Sequence, residues 1–309
     1  MQRLVLIELV AAAAFLALGC GDATESSTLS TGASSGGGST SATASGSGGS
    51  GSTGGSGGES TGTSSASVGS GGAGGAPDPS PGVQTERKLG STSAPFGFYE
   101  YLPPGYNDGK PRPLMVFFHG IGENGNGTTD LPSVIKNGPP KLIATDKWAA
   151  DRPFVVISAQ WNGNNNCPSA DFISSVITWS ETSYHIDAKR IYLTGLSCGA
   201  IGGWSYLGKY TSTKVAAAVL ISGAGKGAWT QQGCALAKTA IWAFHGDKDT
   251  TVLPDDDKFV MPKLIACPQP REDQQFTLYP TVGHDAWTQT FNLSAGHDIY
   301  AWLLANPKP

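Results

Sequence analysis

The stretch that decides the reading of this chain is Gly195-Leu196-Ser197-Cys198-Gly199-Ala200, "GLSCGA", placed between the apolar run "RIYLT" and a segment of small residues. The spacing Gly195-x-Ser197-x-Gly199 is that of a nucleophile elbow, where a strand stops, one residue takes a strained backbone conformation and a helix begins. The flanking positions call for glycine, because a side chain there would meet the neighbouring strand or helix. In a chain with 43 glycines such a pattern also arises by chance, so its meaning depends on what surrounds it.

Short apolar runs recur around it: 114–118 "LMVFF", 154–159 "FVVISA", 191–194 "IYLT", 215–221 "VAAAVLI", 240–244 "AIWAF" and 275–279 "QFTLY". Segments of helical character lie between most of them, at 132–145, 169–183, 198–210 and 255–266, and 285–305 closes the chain. Parallel strands must be joined by crossovers, and continuous apolar strands fit a sheet covered on both faces. The alternation therefore predicts an α/β domain with a mostly parallel central sheet and helices on both sides. The more alternating run 96–102, "FGFYEYL", is expected as an antiparallel edge.

Sites in parallel sheets lie beyond the carboxyl ends of the strands. The turns there are "HGIGENGNG" after 118, "GLSCGA" after 194, "HGDKDTTV" after 244 and "GHDAW" after 282. A serine hydroxyl needs an adjacent base, oriented in turn by a carboxylate, and the order serine, acid, histidine is met by Ser197, Asp249 and His284. Asp247 competes with Asp249 for the acid position. Asp285 is read as a helix N-terminal residue, His119 and His245 as locally bonded core residues, His297 as part of the last helix and His185 as a surface residue. The oxyanion formed on attack needs two preorganised donors. The N–H of Cys198 is one candidate, and that of Ile121, with Gly122 as alternative, is the other. Trp161, Asn162–Asn166, Trp229 and Trp287 are candidates for the substrate cleft, since aromatic faces hold acyl groups or sugars and carboxamides bond hydroxyls. Core packing is the competing reading of each tryptophan.

Composition divides the 309 residues unevenly. Residues 1–20 read as a signal segment, with Arg3 before the apolar "LVLIELVAAAAFLAL" and "ALGC" at 17–20 resembling a lipobox whose Cys20 would carry lipid. Ala17 stands where that pattern prefers Leu, and ordinary secretion is the alternative. Residues 21–82 contain no aromatic residue, Lys or Arg and bury too little apolar surface to fold, so a disordered Gly/Ser/Thr-rich linker with a reach of roughly 45 Å is expected. Residues 83–309 form the expected catalytic domain. A net charge of −4 without basic clusters argues against nucleic acid. No cysteine spacing suits zinc, and four cysteines after Cys20 in an exported domain favour disulfides.

Over about 98–305 the chain resembles α/β-hydrolases of the feruloyl esterase or acetylxylan esterase type, also labelled predicted peptidases or phospholipase/carboxylesterase-like proteins. The matching segments are "PLMVFFHGIGEN", "NGPPKLIA", "PFVVISAQ", "IDAKRIYLTGLSCGAIGGW", "AIWAFHGDKDTTV", "YPTVGHDAW" and "YAWLL". The resemblance implies an α/β-hydrolase fold and a serine ester hydrolase with Ser197, Asp249 and His284 as its triad, without metal or organic cofactor, acting on an ester substrate such as acetyl or feruloyl groups of plant polysaccharide. Cys198 and Ala200 depart from the "GLSMGG" common in such proteins, which leaves the triad intact but does not carry over the family's substrate cleft beside the oxyanion hole. Placing Cys167 and Cys198 at the active-site edge, and Cys234 and Cys267 before the last two strands, favours the pairs Cys167–Cys198 and Cys234–Cys267 over Cys198–Cys234 with Cys167–Cys267. A serine peptidase and a noncatalytic polysaccharide-binding module on the same scaffold are the competing functions.

Overall fold

The computed structural model describes residues 80–309 apart from 211–212, 269 and 272. The signal segment, Cys20 and nearly all of the expected linker lie outside the described residues. Eight strands form one sheet in the order β1-β2-β4-β3-β5-β6-β7-β8. They are β1 (Gln84–Arg87), β2 (Phe98–Tyr101), β3 (Arg112–Phe118), β4 (Val155–Ala159), β5 (Ile186–Leu196), β6 (Ala217–Ile221), β7 (Ala240–Gly246) and β8 (Gln275–Tyr279). Pairs β1/β2 and β2/β4 are antiparallel, and all others are parallel.

The apolar runs feed two cores because successive side chains of a strand point to opposite faces. Leu114, Val116 and Phe118 of β3 join Val155, Ile157, Ile191, Leu193, Ala218 and Leu220 in one buried cluster. Met115 and Phe117 join Val156, Tyr192, Val219, Ile221, Trp242 and Phe244 in the other. Helices α2 (Ala170–Ser183), α3 (Cys198–Lys209), α4 (Lys226–Gln232) and α5 (Asp255–Ile265) cover the first face, contributing Ile173, Val176, Trp204, Leu207, Ala228, Val260 and Leu264. Helices α1 (Gly138–Ala144), α6 (Trp287–Phe291) and α7 (Ile299–Ala305) cover the second, with Leu142, Ile143, Phe291, Trp302 and Leu303. No described helix is long and apolar enough to cross a membrane.

Two expectations need correction. The antiparallel segment β2 is not the edge of the sheet, because β1 pairs outside it. The strand "QTER" has no apolar run to reveal it and is held by Arg87, whose Nε donates to the buried Glu100 Oε1 at 2.6 Å. His297 precedes α7 instead of lying in it, and its ring sits 5.5 Å from Trp242 and 5.9 Å from Phe244. The turn holding His297 separates α6 from α7.

Both disulfides pair as favoured from the topology. Cys167–Cys198 ties the loop after β4 to the first residue of α3, and Cys234–Cys267 ties the segment before β7 to the end of α5.

Candidate active site

The elbow is built by close backbone approach. A Cβ on Gly195 would lie 2.7 Å from the backbone of Gly199, and one on Gly199 would lie 2.0 Å from the carbonyl oxygen of Phe118. Neither position has room for a side chain. Between them Ser197 adopts φ 50° and ψ −119°, a conformation that costs a non-glycine residue about 1–3 kcal/mol and persists only where its surroundings enforce it. They do so here: the Ser197 N–H donates to Ile221 O at 2.8 Å, β5 runs into the turn on one side, and α3 leaves it on the other. The side chain is thereby lifted off the carboxyl edge of the sheet.

Ser197, His284 and Asp249 converge from three different loops. Ser197 Oγ is 2.8 Å from His284 Nε2, and His284 Nδ1 is 2.7 Å from Asp249 Oδ2. A carboxylate only accepts hydrogen bonds, so the imidazole proton sits on Nδ1 and Nε2 is left to accept from the serine hydroxyl. Asp249 is 3 % exposed. Burial raises its carboxyl, but hydrogen bonds from His284 and from the N–H groups of Thr251 and Val252 outweigh burial and hold it below the usual carboxylate range. Those two N–H groups donate to Oδ1 at 2.9 and 3.0 Å, leaving Oδ2 for the imidazole. The Asp247 carboxylate instead lies 3.5 Å from Lys248 Nζ. Asp285 closes the first turn of α6 by accepting from Thr288 N at 2.9 Å, and His185 is exposed.

The two candidate oxyanion donors flank the serine. Cys198 opens α3 and Ile121 opens a 3-10 turn, Ile121–Glu123, and the first N–H of a helical turn has no partner within it. The two segments are in contact, since a Cβ on Gly120 would lie 3.7 Å from Ser197 Cβ. His119 fixes the strand end from which this turn departs. Its Nδ1 donates to Gly120 O at 2.7 Å, and its Nε2 accepts from Trp161 N at 2.9 Å. Burial lowers this imidazole to about 4, against the Gly120 hydrogen bond, which keeps it neutral as its two partners require.

The tryptophans are used differently from one another. The Trp287 ring stands edge-on to His284 with centroids 5.0 Å apart and packs against the second core cluster. The Nε1 of Trp161 donates to Asn166 Oδ1 at 2.9 Å within the loop after β4, and its ring lies 4.8 Å from Phe172 of α2. Trp229 packs on the first core cluster. Beside Ile121 opens a groove of about 680 Å³ whose lining includes Asn124, Asn126, Asp130, Asn162, Asn164 and Asn165, so part of the asparagine run shares a groove with the Ile121 turn.

Two contributors went unassigned in the sequence. Ser222, directly after β6 and itself at φ 54°, donates from Oγ to the carbonyl oxygen of His284 at 2.9 Å. Glu123, 7 % exposed, accepts from Asn137 at 3.0 Å beneath the Ile121 turn. Position at a strand's carboxyl end was the one available clue to Ser222. Among the described residues no group of three His, Cys, Asp or Glu is arranged to hold a metal ion.

No protein-family model and no curated protein sequence matches the chain. Among solved structures it is similar to a thermostable esterase, with 22% identity over 73% of this chain and 63% of that one and a TM-score of 0.55. It is also similar to the feruloyl esterase module of Clostridium thermocellum, solved as an S954A mutant with sinapinate, with 18% identity over 74% and 90% of the two chains and a TM-score of 0.51. The acetyl xylan esterase of Aspergillus awamori matches with 16% identity over 68% and 98% and a TM-score of 0.50. The chain thus spans under two thirds of the thermostable esterase and almost all of the acetyl xylan esterase. The shared architecture is the α/β-hydrolase fold.

Proposed function

We propose that the chain is an exported serine hydrolase of carboxylic esters that works through an acyl-enzyme. The observation that carries this reading is the unbroken hydrogen-bond chain from Ser197 through His284 to an ionised, buried Asp249, with distances of 2.8 and 2.7 Å. In this reading Ser197 Oγ attacks the ester carbonyl as His284 Nε2 takes its proton. Asp249 holds the imidazole in the required tautomer and stabilises the imidazolium, while the N–H groups of Cys198 and Ile121 receive the developing oxyanion. His284 then gives the proton to the departing alcohol. Water, activated by the same imidazole, releases the acid.

The groove beside Ile121 supports a sugar as the alcohol portion. The carboxamides of Asn162, Asn164 and Asn165 in its lining, beside the carboxylate of Asp130, offer donors and acceptors for hydroxyls, and the similarity to acetyl xylan and feruloyl esterases agrees with acetyl or feruloyl groups on polysaccharide. Trp287, packed against the catalytic imidazole, is proposed to limit the acyl side. The two disulfides favour an oxidising compartment. The sequence of residues 1–82 adds export, a flexible tether and, through Cys20, a lipid anchor.

The test compares wild type with Ser197→Ala on p-nitrophenyl acetate, longer p-nitrophenyl esters and methyl ferulate. Turnover by the wild type that the alanine variant lacks supports the reading. Equal rates from both folded proteins on every ester overturn it and turn attention to amide substrates or to polysaccharide binding without hydrolysis.

A further inference from the structure

Asp249 is shared by two histidines. Its Oδ2 lies 2.7 Å from His284 Nδ1 and 3.2 Å from Nε2 of His245, a wholly buried residue near the end of β7. His245 is the centre of a second network on the side of Asp249 away from Ser197. Its Nε2 is aimed at Val252 O at 2.9 Å, and its Nδ1 is 2.9 Å from Oδ2 of Asp257 in the first turn of α5. Asp257 is itself fully buried, with Oδ1 accepting from Gly225 N at 3.1 Å.

Every ionisable or carbonyl partner of this imidazole is an acceptor. A neutral ring has one bare nitrogen, which here would face an oxygen lone pair, either of Asp257 or of Val252 and Asp249. One additional proton between His245 and Asp257 removes the conflict. Two features favour placing it on the ring: Asp257 receives a backbone N–H and stands in the first turn of the 11-residue helix α5, where the helix dipole stabilises a carboxylate. The charged groups around the pair are Asp257 and Asp249 facing the ring, and Asp256 adjoining Asp257.

We propose that His245 is a positioning residue for Asp249: its doubly protonated ring, held by Asp257, fixes the carboxylate and draws negative charge away from His284. The proposal rests on the Ser197–His284–Asp249 reading above. Burial pulls the His245 imidazole down, yet the Asp257 hydrogen bond and charge, the Val252 carbonyl and the charge of Asp249 prevail and raise it. Burial also raises the Asp257 carboxyl, against the His245 hydrogen bond, so the two groups jointly retain their proton. A positive ring 3.2 Å from Asp249 Oδ2 shares the charge of that carboxylate with His284, so the pH profile of turnover reads out the contact.

Three measurements on the full chain test the proposal: the pH dependence of kcat/KM for His245→Gln and for Asp257→Asn, and the ¹⁵N spectrum of the wild-type histidine rings at neutral pH. Loss of the positive charge in either variant is expected to move the acid limb of the profile upward by about one pH unit, the scale of a charge within 4–6 Å. The spectrum is expected to show both His245 nitrogens protonated. An acid limb unmoved in the folded variants, even with kcat reduced, means a purely structural role and overturns the proposal. So does a wild-type spectrum with one bare His245 nitrogen, a result available even if neither variant folds. Ser197→Ala keeps the two levels distinct: its activity on esters equalling wild type would overturn the proposed function, whereas a dead Ser197→Ala beside unshifted variants overturns the role of His245 alone.

Discussion

Gly199 and Phe118 meet backbone to backbone: a Cβ on the glycine would lie 2.0 Å from the phenylalanine carbonyl oxygen and 2.7 Å from that of His119. The first turn of α3 is thus pressed onto the end of β3, bringing the Ile121 turn and Ser197 together. The obstructing atoms belong to the middle of a parallel sheet and cannot swing aside as a side chain would. Gly199→Ala is expected to cost about 1–3 kcal/mol or more in stability and, where protein still folds, to abolish the proposed ester turnover by parting Ser197 from the proposed oxyanion donors. Denaturant unfolding and p-nitrophenyl acetate hydrolysis check the two effects separately.

Two aspartates two residues apart offer a direct discrimination. Asp249 hydrogen-bonds His284, while Asp247 neighbours Lys248. Asp249→Asn is expected to lower kcat/KM by about 10⁴-fold, as loss of the imidazole-orienting carboxylate does, and Asp247→Asn by no more than a few fold. Steady-state kinetics on a single ester suffice, and comparable losses would reject Asp249 as the acid.

The disulfides close loops of similar length, with sequence separations of 31 and 33 residues, so each should contribute a similar stabilisation of about 3–4 kcal/mol by restricting the unfolded chain. Their effects on activity should differ. Replacing Cys234 and Cys267 together by alanine is expected to lower Tm with kcat retained. Replacing Cys167 and Cys198 is expected to lower both, since Cys198, the proposed oxyanion donor, is tethered through its side chain. Calorimetry paired with kinetics of the two double variants reads this out.

Glu123 is a pH-dependent cost in the fold. Burial pushes its carboxyl up, opposed by the hydrogen bonds from Asn137 and the Gly120 N–H and by the charge of Lys136. Because the folded state holds this proton more tightly than the unfolded chain, the stability linked to it is present below the ordinary glutamate range and is lost as pH rises through the raised value. Glu123→Gln keeps an acceptor for Asn137 without the charge. Its Tm relative to wild type is expected to improve between pH 4 and pH 8 by about 1–3 °C, and a constant difference would refute the assignment.

The strand-ending turns that carry Ser197, Asp249 and His284 were legible because local rules govern them. Apolar runs mark strands, glycines mark close approaches, and parallel topology sends every strand's carboxyl end to one edge. The same rules were blind to β1, whose "QTER" lacks an apolar face and is defined by the partner strand and by Glu100. They also placed His297 in a helix, because its aromatic neighbours Trp242 and Phe244 lie on a strand more than fifty residues away.

The sequence by itself therefore determined the alternating architecture, the two faces of the core, the elbow and the residue types able to perform acyl transfer, all of which follow from periodicity and backbone sterics over short spans. Only the tertiary structure decided that Asp249 and not Asp247 meets His284, that Ser222 holds the His284 carbonyl, that Trp161 bonds Asn166, and that His245 joins Asp257 to Asp249. These are distances of about 3 Å between groups brought from separate elements. At that range a rotation of one side chain or a shift of one residue changes the partner, and no local pattern in the chain records the outcome.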